Sequence, residues 1–175
     1  MSQTALQILF FLDLVVLLTV VFSHIVKKNF TLLNIFLVQS LAVSGVLFTL
    51  AWQANSIELF VGAALTFLLK VVVVPAYFSR LIKQHQVKFT GTSYLNTPLT
   101  LVAVAILTAL AYSKLLVPLY LISQAPRSFV QLPMAAMLVA FFLIINRKGA
   151  LSQIVGILSL ENAILSFAAL IFWFG

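Results

Sequence analysis

The chain has 175 residues, 63% hydrophobic and only 7% charged, with a mean hydropathy of +1.21 and a formal net charge of +7. Soluble domains carry about 25% charged residues, so lipid must solvate much of this surface. There is no cysteine and there are two histidines, His24 and His85, which excludes thiolate-held clusters, thiolate zinc sites and disulfides on this chain and argues against a haem or metal ion held by it alone.

In chain order, six apolar segments are predicted to span a bilayer: 4–26, 30–52, 57–82, 98–120, 128–146 and 150–174. Each approaches or exceeds the ~20 residues that cross a hydrocarbon layer of about 30 Å. The runs are continuous rather than alternating, which excludes a β-barrel. The expected fold is all-α, a polytopic transmembrane helical bundle of about six spans. It is one transmembrane domain over 1–175, with two three-helix halves, 1–83 and 97–175, separated by a polar break at 83–97. The first segment lacks a basic leader region and a small-residue cleavage site, so it reads as a retained helix.

The basic residues lie between the apolar runs and therefore read as topology signals rather than a nucleic-acid surface. Lys27 and Lys28 follow span one, Arg80, Lys83 and Lys88 follow span three, and Arg147 and Lys148 follow span five. The opposite side has Lys114 and Arg127, with Glu58 as its acid. The positive-inside rule then puts both termini on the outer, periplasmic side of a cell inner membrane. Trp52 and Trp173 fall at span ends on that same side, as interfacial anchors do.

A few polar residues fall inside apolar runs. A charge at the bilayer centre costs about 2.5–3.5 kcal/mol on insertion scales, so such groups face a bundle interior, pair with each other or carry protons. Asp13, in span one, is near enough to its outer end to read first as a hydrated interfacial acid. Span two carries Gln39 and Ser40. Span three carries Lys70 five residues before Pro75, a proline that frees a backbone carbonyl and can kink the helix. Buried lysines can alternate between charged and neutral forms, although a static pairing of Lys70 with Asp13 or Glu161 is an equal reading.

Span six holds the strongest candidate, Glu161. Burial favours the neutral form of a carboxyl, which suits it to loading and releasing a proton. Asn162 beside it points to another face and is placed to bond a neighbouring helix. Gln153, two turns earlier, shares the face of Glu161. Ser152, Gly156, Ser159, Ala163 and Ser166 form a stripe of small residues, expected to be a packing seam. Spans two and six also look weakly repeated: each follows a basic turn and carries a polar pair, Gln39-Ser40 or Glu161-Asn162, about three turns in. No P-loop, dinucleotide-binding glycine motif, nucleophile elbow or HExxH motif is present, which argues against an ordinary hydrolase or phosphoryl-transfer enzyme.

Several stretches together resemble the hydrogenase-4 component E family. They are the segment from Ala63 through Lys70 to Pro75, then Arg80-Leu-Ile, then Tyr94-Leu-Asn96-Thr-Pro98, the Val-Gln39-Ser40-Leu of span two, and Arg147-Lys148 followed by Gln153 to Asn162. The resemblance implies a membrane subunit of a complex I-like assembly, in which partner chains, namely antiporter-like subunits and a hydrogenase module, carry the redox cofactors and this chain carries none. The C-terminal part of that family is similar to subunit K of NADH-quinone oxidoreductase and to the small subunit of multisubunit cation/proton antiporters related to it, whose intramembrane glutamates lie on the proton path. Glu161 is the matching residue. In two respects the sequence departs from that pattern: Glu161 is nearly one helical turn later than the first glutamate of subunit K, and the family's usual further span and acidic residue are not present before Gly175.

The expectation is thus a non-catalytic subunit that conducts protons or couples them to redox chemistry on its partners. Glu161 and Lys70 are its charged elements, and Gln39, Asn162, Gln153 and Asp13 line the same path. A structural linker without transport, and a small free-standing ion transporter, are the alternatives.

Overall fold

A computed structural model of the chain describes residues 2–84, 92–116 and 125–174. Its helices, in order, are α1 (Gln3–Ile25), α2 (Asn29–Ala54), α3 (Ile57–Phe67), a π-helical segment (Leu68–Val73), α4 (Val74–Gln84), α5 (Thr97–Ala111), a 3-10 turn (Lys114–Leu116), α6 (Arg127–Asn146) and α7 (Ala150–Phe174). No strand occurs among the described residues beyond one isolated bridge between Ser93 and Arg147. The all-α bundle is therefore as the sequence suggests. In lipid the backbone must satisfy its own hydrogen bonds, and helices do so within each segment.

Among the described residues, five stretches are long and apolar enough to cross a membrane: Gln3–Ile25, Asn29–Ala54, Ile57–Gln84, Arg127–Asn146 and Ala150–Phe174. Within the fourth expected span, 98–120, the described helix is shorter than the apolar run. That helix, Thr97–Ala111, has 15 residues, about 22 Å of rise. The chain then tightens at Tyr112 and Ser113, whose amides bond the carbonyls of Ala109 and Leu110. The Tyr-Ser-Lys sequence supplies polar groups there, so the apolar run alone overstates the helix. The remainder of that expected span past residue 116 lies outside the described residues, as do His85, Lys88 and Gly91 of the polar break.

Local chemistry sets the helix ends. Ser2, Ser56 and Asn96 each accept a hydrogen bond from the amide three residues on, at 3.2, 3.4 and 3.1 Å. These are N-caps of α1, α3 and α5. The α2–α3 turn passes through Asn55 at φ 49°, a left-handed position that asparagine tolerates better than most residues.

The core is four helices. α1 packs on α2 and α6, α2 on α7, and α6 on α7. The centre is built from Val16, Leu17, Ala42, Val43, Ala135, Ala136 and Ala163, small or medium side chains that let helices approach closely without a hydrophobic drive between them. The small-residue stripe of α7 is wholly inside: Ser152, Gly156, Ser159, Ala163 and Ser166 are all buried. At Gly156 a Cβ would sit 2.9 Å from the Ile144 side chain and 3.3 Å from its backbone nitrogen, so α6 and α7 touch there almost backbone to backbone. Of the polar pairs of the apparent repeat, Ser40 and Asn162 meet where α2 packs on α7. α5 sits on α6 and α1.

The α3–π–α4 stretch stands outside this core, against α2. Ala63 is the one buried residue of α3, whereas α4 buries Pro75, Phe78 and Ile82 against Leu32, Leu33, Phe36 and Val155. The irregularity expected near Pro75 is a full π-helical segment just before it, in which the amide of Val74 reaches the carbonyl of Leu69, five residues back. Proline has no amide to continue the ladder, and the widened turn absorbs that loss.

Candidate functional site

The π-helical segment directs Lys70 inward. The residue is 8% exposed, and its Nζ donates to Asn162 Oδ1 at 2.9 Å and pairs with Glu161 Oε1 at 3.1 Å, both on α7. Asn162 Nδ2 donates in turn to Ser40 Oγ on α2 at 3.1 Å. Gln39 Nε2 donates to the carbonyl of Ser159 on α7 at 3.3 Å. Four of the expected residues, Lys70, Glu161, Asn162 and Gln39, therefore gather near mid-helix where α2, the π segment and α7 meet.

One expectation needs correction. Glu161 is not inside the bundle: its side chain is 58% exposed, while that of Lys70 is 10% exposed. The stripe 152, 156, 159, 163, 166 takes the buried face of α7, and at about 100° per residue Glu161 falls on the opposite face, with Asn162 on the stripe's flank. Asn162, one residue on, is fully buried and does reach a neighbouring helix. The ion pair is thus half-sheltered, with the cation inside and the carboxylate at the surface. Together the two cancel their charge, which lowers the cost of having either in the membrane.

Asp13 also departs from expectation. It is not a hydrated interfacial acid but a completely buried residue near the middle of α1. Ser166 Oγ donates to its Oδ1, while Oδ2 has no hydrogen-bond partner among the described residues. Lys70 is engaged elsewhere, so Asp13 is not its counter-ion. Asp13 lies ten residues into a helix that begins at Gln3, about 15 Å of rise, which is mid-depth rather than interfacial. Ser166 lies one helical turn beyond Asn162 on the same face of α7, so the Asp13 contact continues the line of polar groups from the Lys70 cluster.

Gln153 does not join the cluster. Its Nε2 donates to the carbonyl of Arg147 at 2.8 Å. Helical side chains lean toward the N-terminus of their helix, so this glutamine closes the turn it follows instead of reaching two turns forward.

No family model matches this chain, and neither a curated protein nor a solved structure matches it.

Sequence reasoning missed a second polar centre, at the basic end of the bundle. Arg147, expected to be a loop charge of the basic turn after span five, is 1% exposed. Its guanidinium donates to the carbonyls of Ser23 and Val26, at the end of α1. Burial lowers its pKa from the usual arginine value, but arginine stays charged over any ordinary range. Beside it Asn146 donates to Thr100 Oγ1 at 3.1 Å and accepts from the amide of Leu95 at 3.0 Å. Lys148 lies 4.7 Å over the Tyr94 ring, and His24 bonds the carbonyl of Val139 at 3.1 Å while stacking on Phe142. These contacts tie α1, α5 and α6 together. They satisfy helix-end carbonyls and read as a structural clamp. The only hint in the sequence was Asn-Arg ending an apolar run, a pattern equally typical of a loop boundary.

Proposed function

We propose that this chain is a non-catalytic membrane subunit of a complex I-like hydrogenase assembly, and that Lys70, Glu161 and Asn162 carry or couple protons within it. The observation that carries the reading is the Lys70–Glu161 pair itself, held at mid-helix beside a π-helical segment and hydrogen-bonded into the bundle through Asn162 and Ser40. Ionisable groups at that depth are expensive and belong to ion paths more often than to passive packing. Irregular helix at membrane depth is tolerated where it is covered by protein or lines a cavity, and π turns gather at functional sites.

In this reading Glu161 takes up and releases the proton, and Lys70 alternates between Glu161 and Asn162 as its partner. Gln39 and Asp13 extend the polar line to either side, Asp13 through Ser166 and its open Oδ2. Redox chemistry and its cofactors belong to partner chains. The exposure of Glu161 supports the need for partners: a carboxylate showing 58% of its side chain at mid-helix suits an interface with another protein better than hydrocarbon. The order of polar and apolar stretches that resembles hydrogenase-4 component E supports the identity of those partners, and the loop charges support an inner membrane with both termini outside.

A purely structural linker is the rival, and the clamp around Arg147 favours it to the extent that most polar groups there are used in holding helices together. The test is isolation of the native particle in mild detergent. Co-purification with large antiporter-like subunits and a [NiFe] subunit is expected. A particle containing this chain alone would overturn the reading in favour of a free-standing transporter.

A further inference from the structure

α4 has two unlike faces. Pro75, Phe78 and Ile82 are buried on one side. On the other, Tyr77, Arg80 and Gln84 follow each other at spacings of three and four residues and, with Leu81, line an open cavity of about 270 Å³. Lys83 lies three residues from Arg80, near the same face. Tyr77 is 62% exposed.

The cations on this face are unpaired within the described residues: neither Arg80 nor Lys83 makes a hydrogen bond or ion pair with another side chain there. The chain has three acids, and none is available here. Asp13 is buried against Ser166, Glu161 holds Lys70, and Glu58 opens α3 at the far end of the same span. A complementary negative charge therefore has to come from outside the chain. Next to the cavity, along the same helix toward mid-span, Leu68, Leu69, Val72 and Val73 are all about half exposed. The face is a donor cluster of guanidinium, phenol and amide, continued by an apolar ridge.

We propose that this end of α4 is a binding site for an anionic phospholipid, with Arg80 gripping the headgroup phosphate and the ridge taking an acyl chain. A planar guanidinium suits phosphate, and basic pockets near helix ends are suited to anionic headgroups. The ridge distinguishes a lipid from a free phosphate ion, which would gain nothing from it.

The test uses the full-length protein in mild detergent, titrated with phosphatidylglycerol, with phosphatidylcholine of the same acyl chains, and with inorganic phosphate. Lipid retention is read by native mass spectrometry and stabilisation by thermal melting. Phosphatidylglycerol is expected to be retained and to raise the melting temperature, phosphatidylcholine and inorganic phosphate much less. Arg80→Gln is expected to weaken phosphatidylglycerol binding about fivefold, as loss of one basic contact implies. Arg80→Lys should keep most of the binding, and Lys114→Gln, at the opposite end, all of it. Equal binding of the two lipids, equal stabilisation by inorganic phosphate, or undiminished binding in Arg80→Gln would each overturn the site.

Discussion

At the scale of single residues, the polar contacts are unequal, and the inequality can be measured. Asn162 is fully buried and makes two side-chain hydrogen bonds, to Lys70 and Ser40. Asn162→Ala leaves a buried cation short of one acceptor and is expected to cost about 2–3 kcal/mol of stability. Glu161, mostly exposed, should matter less to folding: Glu161→Gln keeps an amide oxygen as an acceptor for Lys70 and is expected to cost under about 1 kcal/mol. Chemical denaturation in detergent should give that order. A larger loss for Glu161→Gln would mean that the carboxylate is a structural anchor. Arg147 is predicted to be the most costly of the basic residues to lose. Arg147→Ala strands the carbonyls of Ser23 and Val26, at an expected ~2–4 kcal/mol, whereas Lys114→Ala should be near neutral.

At the scale of helices, the backbone closeness of α6 and α7 at Gly156 is the sharpest packing claim. Gly156→Leu drives a side chain into Ile144 and is expected to destabilise the bundle by about 1–3 kcal/mol. Gly62 is the control, because a Cβ there meets nothing within 4 Å. Gly62→Ala should be neutral or stabilising by up to about 1 kcal/mol, the ordinary helix preference for alanine. Equal melting behaviour of the two variants would contradict the seam. Helices were the most legible level of this sequence, since a run of apolar residues in lipid has few alternatives. The end of α5 was not legible, because Tyr112, Ser113 and Lys114 break the helix inside an apolar stretch that continues past them. Nor was the register of the π segment: Pro75 announced an irregularity, but not that the turn before it would aim Lys70 at Asn162.

At the scale of the whole molecule, α1 and α2 pack on α6 and α7 across the two sequence halves, with α3, α4 and α5 outside. Hydropathy names the helices but not which flank of each turns inward. Hydropathy alone therefore does not separate Glu161 and Asn162, neighbours in sequence, into an exposed and a buried role, nor does it show which way Asp13 faces. The stripe of small residues on α7 did carry that information. Once its face is taken as buried, the exposure of Glu161 follows from helix geometry. The arrangement that results puts one carboxylate at the surface and a second, Asp13, deep between α1 and α7, with Lys70 and Asn162 between them in the polar order.

The central claim is that this line of groups moves protons, and proton translocation by the purified assembly in liposomes tests it most directly. With Glu161→Gln and with Lys70→Ala, assembly should persist while translocation falls at least about tenfold, the scale of losing one well-placed proton carrier. Gln153→Leu, which touches only the Arg147 turn, should leave translocation within about twofold. Full translocation in both Glu161→Gln and Lys70→Ala, with the assembly intact, would contradict the account.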